Sequence, residues 1–162
     1  MARGGQVRKC PRPGGAEGVL QDGFTVDLDN DPGEIERFTA LVEALAERCD
    51  LPAKLVFQLT LVFDELLTNV ISYGFPAGGR HKITASVAIS GTELTATLTD
   101  GGVEFDPLAK AGPDTNLSIE DREIGGLGVH LVRQLMDKVD YRREAGQNHL
   151  VMTKTISVDP EP

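Results

Sequence analysis

Between Pro52 and Gly74 the chain carries one unbroken helical pattern, and that pattern limits what the rest can be. Leu55, Leu59, Val62, Leu66 and Val70 recur at intervals of three and four, with Phe63 and Leu67 widening the stripe. The spacing predicts a helix from Pro52 to about Tyr73, roughly 30 Å long at 1.5 Å per residue. Gly74, Pro76, Gly78 and Gly79 end it. A stripe of that length needs a broad apolar surface to bury against. The next residues supply one: Lys82 to Ile89 and Glu93 to Thr99 alternate apolar and polar with period two, and Ser90-Gly91-Thr92 joins them as an antiparallel hairpin.

The remaining chain reads by the same two periods. Phe24, Val26 and Leu28 alternate as a first strand, so the domain begins near Gly23. Asp31-Pro32-Gly33 puts a cap and a proline before a helix from Gly33 to Arg48, whose apolar face is Ile35, Phe38, Leu41, Val42, Leu45 and Ala46. Asp50-Leu51-Pro52 separates the two helices. After Asp100-Gly101-Gly102 an irregular polar stretch runs to about Ile124, and Gly125-Gly126-Leu127-Gly128 opens a third helix ending near Met136. Lys138 to Arg143 and His149 to Ile156, on either side of Ala145-Gly146-Gln147-Asn148, read as a closing hairpin. The expected fold class is α+β: a two-layer α/β sandwich with a mixed, mainly antiparallel sheet and helices on one face. Residues 22–158 make this domain. Residues 1–21, rich in Gly, Pro and Arg, are expected to be a disordered leader, and 159–162 a tail.

The composition narrows the function. The chain has 162 residues and a formal charge of −9, and residues 1–21 carry four basic side chains against Glu17 alone, which leaves −12 on the remainder. A surface that acidic repels nucleic acid, so no direct nucleic-acid contact is expected. No uninterrupted run of eighteen apolar residues and no signal sequence is found, so no membrane partner and a cytoplasmic location are expected. Cys10 and Cys49 make neither a disulfide framework nor a thiolate metal site. His81, His130 and His149 have no acid or cysteine at ligand spacing, and no serine or cysteine stands in a nucleophile-elbow context.

Three places could carry chemistry. Glu65 and Asn69 lie four apart on the border of the long stripe, so a carboxylate and an amide oxygen project from the same side of one helix. Magnesium takes one or two protein oxygens beside phosphates, which Asn69 could supply, and Glu65 one turn away could accept a proton from an attacking hydroxyl. Taken alone, the pair equally describes the polar flank of any half-buried helix. Asp100-Gly101-Gly102 ends a strand with a carboxylate able to accept from the exocyclic amine of adenine, and Gly102 has no Cβ to keep the main chain from the ring. A plain Asp-Gly turn is the other reading. Gly126-Leu127-Gly128 enters a helix whose free N–H groups attract phosphate, or it merely caps that helix.

In this order, Glu65-x-x-x-Asn69, Asp100-x-Gly102 and Gly126-x-Gly128 resemble the N box and the two glycine boxes of the ATPase superfamily of gyrase, the histidine kinases and the mismatch-repair ATPases. Asp64-Glu65-Leu66-Leu67-Thr68-Asn69 and Gly126-Leu127-Gly128-Val129-His130-Leu131-Val132-Arg133 are most similar to the anti-sigma factor serine kinases. The resemblance covers about Phe24 to Ile156. It implies ATP and Mg2+ as cofactors, with Asn69 the metal ligand and Asp100 the adenine contact. Gly102, Gly126, Leu127 and Gly128 become phosphate and lid backbone, and Glu65 the general base. It also implies that Pro107 to Ile124 form a lid, in which Thr115 and Ser118 are capping or turn residues. The implied activity is phosphorylation of an anti-sigma factor antagonist and sequestration of a sigma factor, with a homodimer as an admitted state. In the family a second glycine often follows the first glycine box, and here Glu104 takes that place. Two other readings stand beside it: a non-catalytic switch in which nucleotide only sets which partner is held, and a dinucleotide module, which Leu131 in place of the third glycine disfavours.

Overall fold

The computed structural model describes residues 22–108 and 126–157. The expected leader, the lid beyond Leu108 with Thr115 and Ser118, and the expected tail lie outside the described residues. Eight elements follow in the order β1 (Asp22–Asp29), α1 (Gly33–Cys49), α2 (Ala53–Tyr73), β2 (Lys82–Ser90), β3 (Glu93–Asp100), α3 (Gly126–Leu135), β4 (Lys138–Glu144) and β5 (Gln147–Thr155). This is the expected sequence of strands and helices.

Local chemistry explains the boundaries. Asp31 Oδ1 accepts from the Gly33 N–H at 2.8 Å, so the capping oxygen comes from the residue before Pro32. Glu34 and Glu36 in the first turn and Arg48 in the last suit the helix dipole of α1. Asp50 ends α1 in the left-handed conformation and donates its N–H to the Ala46 carbonyl. Ala145 and Gly146, with φ of 51° and 77°, form the tight two-residue turn between β4 and β5. The turn is therefore two residues long: Gln147 and Asn148, expected in the connection, belong to β5.

The five strands form one sheet in the order β1-β2-β3-β5-β4. All four pairings are antiparallel, the limiting case of the mainly antiparallel sheet expected. Because the register is continuous, side chains line up in rows across the inner face. One row is Val26, Ala85, Leu98, Leu150 and Tyr141; the neighbouring row starts at Leu28 and runs through Ile83, Asp100, Asn148 and Arg143. That second row is apolar on β1 and β2 and polar from β3 onward. The polar half marks where the core gives way to a site.

The inner face packs into one core with Phe38, Val42 and Leu45 of α1, the buried stripe of α2 (Leu55, Leu59, Val62, Phe63, Leu66, Leu67) and Val132 of α3. Phe38 stacks on Phe63 with centroids 4.2 Å apart and meets the Phe24 edge at 5.7 Å. The other face carries small polar side chains such as Thr84, Thr97 and Thr99, in keeping with helices on one face only. By length and composition α2 could cross a bilayer. In this fold its stripe is core, and Asp64 and Glu65 interrupt it at mid-helix.

Candidate functional site

A cleft of about 190 Å³ opens between the C-terminal half of α2 and the polar end of the sheet. Leu66, Asn69, Val70, Tyr73 and Gly74 form one wall, and Leu98, Asp100, Tyr141, Asn148 and Leu150 form the floor. Val103, Phe105 and Pro107 close a third side. An apolar cleft with a few converging polar groups is the usual form of a small-molecule site.

Two predicted residues from distant parts of the sequence meet here: Asn69 and Asp100 both line the cleft. Asn69 is half-buried, and its Nδ2 is fully shielded with no hydrogen-bond partner among the described residues. An unpaired buried amide N–H is costly, about 1–3 kcal/mol, so this donor suits an acceptor such as a phosphate or water oxygen. No hydrogen bond among the described residues holds that Nδ2, and the amide also carries an oxygen, Oδ1, of the kind that ligates a cation. One amide oxygen beside phosphate groups suits magnesium, which keeps several of its waters.

Asp100 is buried, 5% exposed. Its Oδ1 accepts from the Gly102 N–H at 2.9 Å and from Asn148 Nδ2 at 3.0 Å. Gly102 is not part of the cleft lining. Its buried backbone lies directly behind Asp100, and the following N–H, of Val103, donates to the Gly74 carbonyl at 2.8 Å. The loop after β3 is thereby fastened to the end of α2.

Glu65 is half-buried one turn before Asn69 and outside the cleft lining. Gly126, Leu127 and Gly128 form the first turn of α3, where helix N–H groups have no intrahelical partners. Contacts between α2 and α3 hold that helix against the one bearing Asn69. Arg133 of α3 donates to the Leu108 carbonyl, tying the helix to the chain just beyond Pro107.

Sequence reasoning missed Asn148, Tyr141 and Arg143. Asn148 is 6% exposed, and its Oδ1 accepts from Tyr141 Oη at 2.7 Å and Arg143 Nη1 at 2.9 Å. Its Nδ2 also donates to the Val103 carbonyl at 2.9 Å. Arg143 Nη1 donates in addition to the Gly102 carbonyl at 2.8 Å. Burial and the charges of Glu104 and Asp106 push the Tyr141 phenol up, partly offset by Arg143, so it stays a protonated donor. Among the described residues no group of three His, Cys, Asp or Glu side chains gathers at metal-ligand distance. His81 stacks on Phe75 at 4.1 Å, and His149 faces Thr99 on the open side of the sheet.

Residues 28–154 match the histidine kinase-like ATPase domain family. The chain belongs to this family. The serine/threonine-protein kinase BtrW of Bordetella bronchiseptica is 34% identical over 112 residues, 69% of this chain and 79% of that protein. The serine-protein kinase RsbW of Listeria monocytogenes is 28% identical over 86% of this chain and 90% of its own length, and the anti-sigma F factor of Pasteuria penetrans 28% over 73% and 80%. The chain is thus an RsbW- and BtrW-type member of the histidine kinase-like ATPases. Among solved structures, the blue-light activated histidine kinase of Erythrobacter litoralis superposes with a TM-score of 0.50 at 15% identity, over 77% of this chain and 41% of that one. That likeness concerns the fold alone. Membership of this family also sets aside the dinucleotide-module reading.

Proposed function

We propose that this protein is a cytoplasmic Mg-ATP-dependent serine/threonine kinase that phosphorylates an anti-sigma factor antagonist and, when that antagonist does not hold it, sequesters a sigma factor. The observation that carries the reading is the convergence of Asn69 and Asp100 in one apolar cleft of a chain 34% identical to a serine/threonine kinase. Asp100 accepts from the adenine amine while Leu98, Val103 and Leu150 enclose the ring. Asn69 would hold the magnesium ion, which would neutralise phosphate charge. The first turn of α3, with Gly126, Leu127 and Gly128, offers its N–H groups to the phosphates. Glu65 takes the proton from a substrate hydroxyl as that oxygen bonds to the γ-phosphorus and the bond to the bridging oxygen breaks, releasing ADP.

One observation favours a second reading, a switch in which nucleotide decides which partner is held without being consumed: Glu65 stands outside the cleft lining. Replacing the carboxylate separates the two. Glu65→Gln is expected to bind Mg-ATP within about threefold of wild type while phosphoryl transfer falls by the 10²–10⁴ typical of a lost acid–base group. Calorimetric titration and transfer of labelled phosphate to a candidate antagonist measure both. Undiminished transfer by Glu65→Gln removes Glu65 from the chemistry, and loss of Mg-ATP binding in Asp100→Asn alone supports the adenine contact. Failure of the wild-type protein to bind ATP overturns the proposal.

A further inference from the structure

We infer that Asn148, oriented by Tyr141 and Arg143, positions Asp100 and thereby sets the preference for a 6-amino purine over a 6-oxo purine. The inference rests on the ATP-site reading and concerns how that site tells one base from another.

Register places the three groups side by side. Asp100 on β3 faces Asn148 on β5, and Asn148 faces Arg143 on β4, so one straight row of the sheet holds a carboxylate, an amide and a guanidinium. Tyr141 stands two residues before Arg143 on the same face. An amide has one accepting and one donating end, and its neighbours decide which faces where. A guanidinium only donates. Arg143 Nη1 and Tyr141 Oη converge on one end of Asn148 at 2.9 and 2.7 Å, so that end must be the oxygen. The opposite end is then NH2, donating to Asp100 Oδ1 and the Val103 carbonyl at 3.0 and 2.9 Å. The amide is satisfied on both sides.

The consequence falls on Asp100. Oδ1 is occupied by two N–H donors, from Gly102 and Asn148, while Oδ2 has no partner among the described residues. Oδ2 is therefore the oxygen offered to a ligand in the cleft that Asp100 lines. It can accept from an exocyclic amine. A carbonyl at the same place sets lone pair against lone pair, and the fixed Asn148 denies Asp100 a rotation that would relieve it. Arg143 joins the same unit a second way, through the Gly102 carbonyl at 2.8 Å. Asn148 is thus a positioning residue, and Asp100 alone touches the base.

The test uses the full chain, Mg-ATP, and Mg-ITP, whose base bears oxygen where adenine bears the amine. Asn148→Asp keeps the shape but replaces the donating end by an oxygen 3.0 Å from Asp100. The like charge of the new carboxyl, which Arg143 and Tyr141 still hold in place, repels Asp100 and turns it from the base. The ATP-over-ITP preference is expected to fall about tenfold. A change that merely loosened the fold would weaken binding of both nucleotides alike and leave that ratio level. Arg143→Met, which frees the amide to flip, is expected to lower the ATP-over-ITP preference severalfold. Circular dichroism and thermal melting establish folding. Folded Asn148→Asp with a wild-type ATP-over-ITP ratio overturns the inference; if that variant does not fold, an unchanged ATP-over-ITP ratio in Arg143→Met does so. Wild-type protein that binds neither nucleotide overturns the ATP-site reading and this inference together.

Discussion

A Cβ added at Gly102 would lie 2.7 Å from the Gly74 carbonyl oxygen and 2.9 Å from Asp100 Oδ1. Both neighbours are protein atoms, so the missing side chain permits the loop after β3 to close on the end of α2, a packing reason beyond the ring approach expected from sequence. Gly102→Ala is expected to cost about 1–3 kcal/mol as overpacking, and to weaken ATP binding because Asp100 Oδ1 is displaced. Urea unfolding and calorimetric titration read the two effects. Gly101→Ala, whose added Cβ meets nothing within 4 Å, is the control expected to change neither appreciably. Asp100 and Asn69 were legible because each breaks a strong local pattern, one ending an alternating strand and the other bordering a helical stripe. Asn148 was not. An asparagine after Ala-Gly-Gln reads as turn chemistry, and its role exists only across two hydrogen-bonded ladders that sequence periodicity does not reveal.

At the scale of elements, the helices are held by aromatic and aliphatic packing rather than by their own propensity. Phe38 is fully buried between Phe24 and Phe63. Phe38→Ala is expected to destabilise the protein by about 3–5 kcal/mol, seen as a lower urea midpoint with little change in slope. A loss under about 1 kcal/mol would mean that the cavity collapses on the remaining rings. Every described element was legible, since two clean periods and strong Gly and Pro punctuation agree along the chain. Two things escaped. The β4–β5 connection is shorter than expected because Ala145 adopts positive φ, which few non-glycine residues do. The order β3-β5-β4 depends on pairing Thr97 with Val151, more than fifty residues on, and no local signal specifies it.

For the whole molecule the dominant electrostatic fact is excess acid, −9 in all, and its management is local. Asp29 at the end of β1 meets Arg80 and Lys82 at 2.6 Å each. Hydrogen bonds from Arg80, then Lys82, hold its carboxyl well below the usual carboxylate range. A folded pKa below the unfolded one means stability that is present above the ordinary carboxylate value and lost as pH falls through the folded value. Asp29→Asn is therefore expected to flatten the acid limb of the stability curve below about pH 4, with the difference shrinking as salt rises, because the group is solvent-screened. Thermal melts between pH 2.5 and 7 at two ionic strengths measure it, and superimposable acid limbs would remove the pair from the account. A different consequence follows from where β4 and β5 stand in the chain. They are the last of the described elements to be synthesised, yet they supply Arg143, Tyr141 and Asn148 to the row that steadies Asp100. A nascent chain that has emerged through α3 already displays all three sequence boxes and has no neighbour for β3 on that side. The floor of the cleft is completed only with the final hairpin, so a ribosome stalled before it carries a recognisable family member whose Asp100 still lacks its Asn148 partner.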